Sequence, residues 1–270
     1  MVSRMTGPSV NSPFRILRVS VTGSTNADLL VRARAGEPAG LVLLADHQTA
    51  GRGRLDRRWE APSGANLLVS MLLRPQRPVD RWFHSTLALG LAVVDACRTS
   101  GVDATLKWPN DVLVGDAKLA GVLAETDGRG AVVIGLGCNV GWPGAGELPG
   151  ATSLAAHGAR VTPAAFLNVV LDHYDDAAPD LLERYRSCCS TIGRPIRIDL
   201  PNGEAVDGVA TGVDDDGLLV VEIDTDATLP GAPAFVTRRF AVGDVVHARS
   251  GTRSMDASLP PTSSDVRRNE

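Results

Sequence analysis

After a polar, Pro- and Ser-bearing start, apolar residues first gather in ILRVSV (16–21), a segment of strand character. In ADLLVRARA (27–35), Leu29, Leu30 and Ala33 fall on one face of a helix, which Ser24 or Thr25 can cap with a hydroxyl oxygen. LVLLAD (41–46) and NLLVSMLL (66–73) are short apolar runs that fit buried strands, the second ended by Arg74-Pro75. From Trp82 to about Cys97, Leu87, Leu91 and Val94 return at helical spacing. ATLKW (104–108), VLV (112–114), KLAGVLAET (118–126) and AVVIGLG (131–137) then follow in quick succession. Pro109-Asn110-Asp111, Gly115-Asp116 and Asp127-Gly128 join them with residues suited to turns. Strands spaced this tightly predict an α+β fold, with a mixed or antiparallel sheet and helices on one side. A further helical stretch runs from about Pro163 to Ser187, broken near Pro179.

From Gly193 the pattern changes. RPIRIDL, Asn202-Gly203, VDGVATGVDDDG, LLVVEI and RRFAVGDVVHA read as short strands with tight turns. They predict a small barrel of roughly 55 residues, too little core to be expected to stand far from its neighbour. The boundaries expected are a flexible N-terminus over 1–13, a large domain over 14–191, the small barrel over 192–249 and a disordered tail over 250–270.

The bulk numbers narrow the function classes. The chain has 270 residues, 44% hydrophobic and 21% charged, with a formal net charge of -4, so it can bury a full core. A negative balance speaks against indiscriminate nucleic-acid binding, which needs a broad basic face. No apolar run approaches the roughly 20 residues needed to span a bilayer. MVSRMTGPSVNSP has no apolar stretch of a secretory signal, so a cytoplasmic protein with no membrane partner is expected. Cys97, Cys138, Cys188 and Cys189 form no C-x-x-C pair, and the histidines lack ligand spacing. Neither a disulfide framework nor a zinc site is expected.

Against that acidic balance, GRGRLDRRW (51–59) gathers Arg52, Arg54, Arg57 and Arg58 on a flexible loop ending in Trp59. Gly51 and Gly53 allow backbone amides to approach an anion, and guanidinium forks suit phosphate or carboxylate oxygens. An exposed hairpin with solvated arginines is the other reading. It is not a P-loop, because no G-x-x-x-x-G-K-[ST] occurs. In KWPND (107–111), Asp111 can hold a Mg²⁺ that bridges phosphates, or simply close an Asx-turn. Lys118 opens the apolar KLAGVLAE (118–125), projecting into a semi-dry cleft or into solvent. GLGCN (135–139) can admit a ligand closely, with Asn139 to bond it, or mark a bulge. GSTN (23–26) can cap a helix or bind a polar ring.

In this order, GSTN, HQTAGRGR with its following Trp, KWPND, KLAGVLAE and GLGCN resemble the biotin protein ligase family, the biotin–[acetyl-CoA-carboxylase] ligases. The resemblance runs from about Thr22 to Asn139 and resumes in AVGDVVH. It implies a class II synthetase-like catalytic domain followed by an SH3-like barrel. It also implies joining biotin to ATP as biotinyl-5′-AMP, with Mg²⁺ as cofactor, then transfer to a lysine of a biotin carboxyl carrier domain. The family pattern assigns catalysis to Lys118, Arg52 and Asp111, with Asp111 the position for Mg²⁺. Biotin falls to Ser24, Thr25, Asn26, Gln48, Gly51, Arg52, Gly53, Arg54, Lys118, Gly121 and Gly137. The nucleotide falls to Arg54, Arg57, Trp59, Asn110, Lys118 and Asn139, with Trp59 packing on adenine.

Family loops commonly read GRGRRGR-x-W, but here Leu55-Asp56 stands in the middle, and Asp56 is expected to face solvent or pair with a neighbouring arginine. Only about fifteen residues precede the first strand, too few for a helix-turn-helix, so a ligase without repressor activity and without a nucleic-acid partner is expected. A lipoate or octanoyl transferase of related fold and a non-catalytic biotin sensor are the alternatives.

Overall fold

The computed structural model describes residues 2–4, 13–55, 57–142, 144–145, 148–225, 234–241 and 243–247. The expected tail over 250–270 and Asp56 lie outside them. Part of the N-terminus expected to be flexible is instead a short strand, β1 (Val2–Arg4), paired antiparallel with β2 (Arg15–Thr22).

β2 leads through α1 (Thr25–Arg34) to β3 (Leu41–Gln48), which lies parallel to β2, as a helical crossover allows. The remaining strands are β4 (Leu67–Leu73), β5 (Thr105–Lys107), β6 (Asp111–Val114), β7 (Ala117–Thr126) and β8 (Val132–Cys138). Together they form an eight-stranded sheet in the order β1-β2-β3-β4-β8-β7-β6-β5. Every neighbouring pair other than β2–β3 is antiparallel, so the sheet is mixed.

Helices cover both faces of this sheet, not one. Leu41 and Leu43 of β3 pack with Leu29, Leu30 and Ala33 of α1, whereas Val42 and Leu44 join the core beneath α2 (Phe83–Thr99) and α3 (Pro163–His173). The reason is legible in β3 itself: an unbroken apolar run suits a strand buried on both sides. Pro179 separates α3 from α4 (Leu181–Cys188).

The C-terminal unit comprises β9 (Pro195–Asp199), β10 (Ala205–Val213), β11 (Leu219–Asp224), β12 (Phe235–Phe240) and β13 (Asp244–His247). These form an antiparallel sheet in the order β12-β11-β10-β9-β13. Its inner residues Ile196, Ile198 and Val221 belong to the same core as α2 and α3. Polar ties fix the seam: Trp108 Nε1 donates to Gly217 O at 3.1 Å, and Trp108 N to Thr191 Oγ1 at 3.1 Å. The KWPND turn is thus fastened to the second unit directly.

Candidate functional site

The parallel pairing of β2 and β3 brings Thr22 opposite Gln48, so the GSTN and TAGRGR loops leave the sheet side by side. Backbone bonds from Thr49 N to Thr22 O (2.9 Å) and Ala50 N to Gly23 O (2.8 Å) extend the pairing. Between these loops, β7 and β8 lies a cleft of about 280 Å³.

At one end stands a neutral polar wall. Ser24 caps α1, accepting from Ala27 N at 3.5 Å. Gln48 Oε1 accepts from Thr25 N (2.7 Å) and Thr25 Oγ1 (3.1 Å). Asn26 Nδ2 donates to Leu123 O (3.2 Å) and Glu125 Oε2 (2.7 Å), while Asn26 Oδ1 lies 2.6 Å from Ser70 Oγ. Ser24, Thr25, Asn26 and Ser70 are all buried.

The arginine loop is a hairpin. Trp59 N donates to Gly51 O (3.1 Å), Gly53 N to Arg57 O (2.7 Å), and Arg52 bridges Arg58. Leu55 turns the tip at φ 53°, a left-handed conformation that costs a non-glycine residue on the order of 1 kcal/mol. A side chain at Gly51 would meet Trp59 O at 2.4 Å, so glycine is what lets the two arms close at the base. The arginines are not simply solvated. Arg52 pairs with Glu125 at 3.0 Å, Arg54 Nη1 donates to Asn110 Oδ1 at 3.2 Å, and Arg57 pairs with Asp244 of β13. Burial lowers the pKa of Arg54, against the opposing charges of Asp111 and Asp244, with Arg57 lowering it further. The bond to Asp244 raises that of Arg57.

At the other end, Lys118 Nζ lies 2.6 Å from Asp111 Oδ1 and 5.8 Å from the centroid of the Trp59 ring. That ring rests on Gly137, where an added Cβ would come within 2.5 Å of it, and reaches Gly121. Trp59 Nε1 is a buried donor without a hydrogen-bond partner among the described residues.

The cleft therefore gathers Ser24, Thr25, Asn26, Gln48, Arg52, Gly53, Arg54, Arg57, Trp59, Asn110, Asp111, Lys118, Gly121 and Gly137. Gly51 sits at the hairpin base instead of the lining. Asn139 is not brought to the cleft: it accepts from Asn66 Nδ2 and donates to Thr152 O, each at 2.9 Å, inside the core. Gly135 lines the cleft and leaves room for the Asn26 amide, which a Cβ would approach to 2.3 Å. Sequence reasoning missed Ser70, Glu125 and Asp244. Ser70 was signalled by a lone hydroxyl inside an apolar strand, and Glu125 by its two-residue alternation with Gly121 and Leu123 along β7. Asp244 carried no local signal.

No group of three or more His, Cys, Asp or Glu side chains among the described residues could hold a metal alone. Asp111 offers one carboxylate, which fits an ion carried mainly by phosphate and water oxygens. No described helix is long and apolar enough to cross a membrane.

Residues 19–140 match the family described as biotin/lipoate A/B protein ligase, and residues 191–248 match the biotin protein ligase C-terminal domain. The biotin--[acetyl-CoA-carboxylase] ligase of Mycobacterium tuberculosis is 39% identical over 245 residues, covering 86% of this chain and 88% of that protein. The chain belongs to the biotin protein ligase family. The bifunctional ligase/repressor BirA of Escherichia coli is 34% identical over 225 residues, covering 76% of this chain and 68% of that protein. The solved biotin protein ligase from Aquifex aeolicus, in complex with biotin and ATP, superposes with a TM-score of 0.70 at 25% identity, covering 87% and 99% of the two chains. That likeness extends over the sheet and the C-terminal unit together.

Proposed function

We propose that this cleft activates biotin with ATP, giving biotinyl-5′-AMP and pyrophosphate, and then passes biotin to a lysine of a biotin carboxyl carrier domain in the cytoplasm. The observation that carries the reading is the polarity of the site. A neutral wall of Ser24, Thr25, Asn26 and Gln48 faces one end, and Lys118, Arg54 and Asp111 face the other. Lys118 Nζ lies over Gly121, and Gly121 and Glu125 stand roughly 13 Å apart along β7 at the usual rise per residue. That length suits a ligand with an uncharged ureido ring at one end and an anion at the other.

In the first step a biotin carboxylate oxygen attacks the α-phosphorus, and the bond to the bridging oxygen of pyrophosphate breaks. Two anions must meet, and cations held out of water offset their repulsion best. Arg54, already partly desolvated, and Lys118 supply that charge. Arg52, held on Glu125 through Nη2, turns its remaining guanidinium N–H groups to the biotin carboxylate. Mg²⁺, held by Asp111 and the phosphates, would neutralise phosphate charge. In the second step the carrier's lysine amine attacks the acyl carbon, AMP leaves, and the amine's proton passes to solvent. The hairpin shields the mixed anhydride from water in between.

Trp59 offers adenine a flat face, and its Nε1 a hydrogen-bond donor. The five antiparallel strands β9–β13, matching the family's C-terminal domain, support an SH3-like barrel that contributes Asp244 to the cleft. The test is pyrophosphate exchange into ATP with purified protein: exchange that depends on biotin supports the reading, and exchange with lipoate alone rejects it.

A further inference from the structure

Glu125 lies outside the charged end of the cleft, yet a single oxygen of its carboxylate does two jobs. Oε2 accepts from Asn26 Nδ2 at 2.7 Å and from Arg52 Nη2 at 3.0 Å. The first donor belongs to the neutral wall, the second to the hairpin. We infer that Glu125 is a positioning residue that fastens the arginine hairpin to the ring-binding wall, so that wall order and hairpin closure are set together. The inference rests on the reading that this wall holds the ureido ring of biotin.

The direction of the wall follows from donor and acceptor types. A carboxylate paired with a guanidinium only accepts, and so does the Leu123 carbonyl, so Asn26 must turn its NH₂ towards both. Its Oδ1 is then left facing Ser70 Oγ, 2.6 Å away, and takes the one proton that hydroxyl has. Ser70 Oγ also lies 2.7 Å from Thr25 Oγ1, whose own proton goes to Gln48 Oε1. Ser70 is fully buried and Asn26 nearly so, which makes an inverted amide costly. Gly135 leaves the space in which the Asn26 amide lies, and no larger residue would.

The hairpin end needs the same carboxylate for a different reason. Arg52 sits one residue beyond the hairpin base and is 44% exposed against 25% for Glu125, so as an isolated surface pair the two would contribute little. Sharing Oε2 with a buried amide changes that. The oxygen is already held in place, so Arg52 gives up only its own freedom to reach it. The hairpin arm carrying Arg52 is therefore docked where the wall is ordered.

The test compares wild type, Glu125→Gln, Glu125→Ala and Arg52→Ala in the full chain. Without any ligand, trypsin should cut the hairpin after its arginines at least roughly threefold faster in Glu125→Ala than in wild type, with an intermediate rate in Glu125→Gln, which keeps an acceptor but no charge. Biotin Kd should rise about fivefold or more in Glu125→Ala, and by more than the KM for ATP, whose contacts ride on the same hairpin but not on the wall. Arg52→Ala added to Glu125→Ala should have less effect on biotin Kd than Arg52→Ala alone. Unchanged trypsin cutting, equal losses for biotin and ATP, or full additivity would overturn the inference. Because trypsin cutting is read without ligand, its outcome is separate from failure of the biotin reading, which would show as no biotin binding by wild type.

Discussion

Lys118 Nζ and Asp111 Oδ1 face each other at 2.6 Å across the antiparallel pair β6–β7, beside the Trp59 ring. The lysine is 37% and the aspartate 20% exposed, so the pair does little for stability. Its value is a cation held at a fixed point in the cleft. Lys118→Ala should lower kcat/KM for biotin-dependent pyrophosphate exchange by about a hundredfold or more, the usual loss for one preorganised donor. The melting temperature should move by no more than a few degrees. Exchange at the wild-type rate in Lys118→Ala would remove it from the chemistry.

Arg57 reaches from the hairpin to Asp244 at the start of β13, joining the loop to the C-terminal unit. Both side chains are substantially exposed, so the bond is worth no more than about 1 kcal/mol. Asp244→Asn should raise the KM for ATP by about two- to fivefold and leave biotin Kd within twofold. Steady-state kinetics with each substrate varied separately reads this difference.

Gly137 lies directly under Trp59, with room for no Cβ. Gly137→Ala should displace the indole and weaken nucleotide binding by about tenfold, with a shift in tryptophan emission. An unchanged emission maximum with wild-type affinity would show that the ring does not need that seat.

His247 closes the seam between the units, with Nε2 3.1 Å from Thr191 Oγ1. Burial lowers its pKa to about 4, helped by Lys107 and Arg194 and opposed by Asp116. The unfolded chain therefore binds the proton more readily than the folded one between about pH 6.5 and 4. Stability contributed by neutral His247 is present above pH 6.5 and is lost as the pH falls towards 4. Because the group is half-exposed, the loss is only about 1–2 kcal/mol. Urea unfolding at pH 7 and pH 5 should show a smaller difference for His247→Gln than for wild type.

Much of this arrangement was legible in the sequence because periodicity reports burial. The unbroken apolar run of β3, the Leu29–Leu30–Ala33 stripe and the turn residues around KWPND located their elements. What the pattern missed was relation across elements. Helices on one side were expected, because the short strands suggested a half-exposed sheet. The run LVLLA carried the opposite signal, burial on both faces. Asn139 looked like a ligand residue beside two glycines, yet its amide is spent on Asn66 and Thr152. Asp244 joins the cleft only through the docking of β13, which no local pattern in 235–247 announces.

The adenylate itself is the most direct product of the proposed chemistry. Purified protein incubated with biotin, ATP and Mg²⁺, with carrier domain withheld, should retain biotinyl-5′-AMP detectable by mass spectrometry. Adding the carrier should consume it and leave AMP. If no adenylate forms, or if only a lipoyl adenylate does, the account of the cleft is wrong.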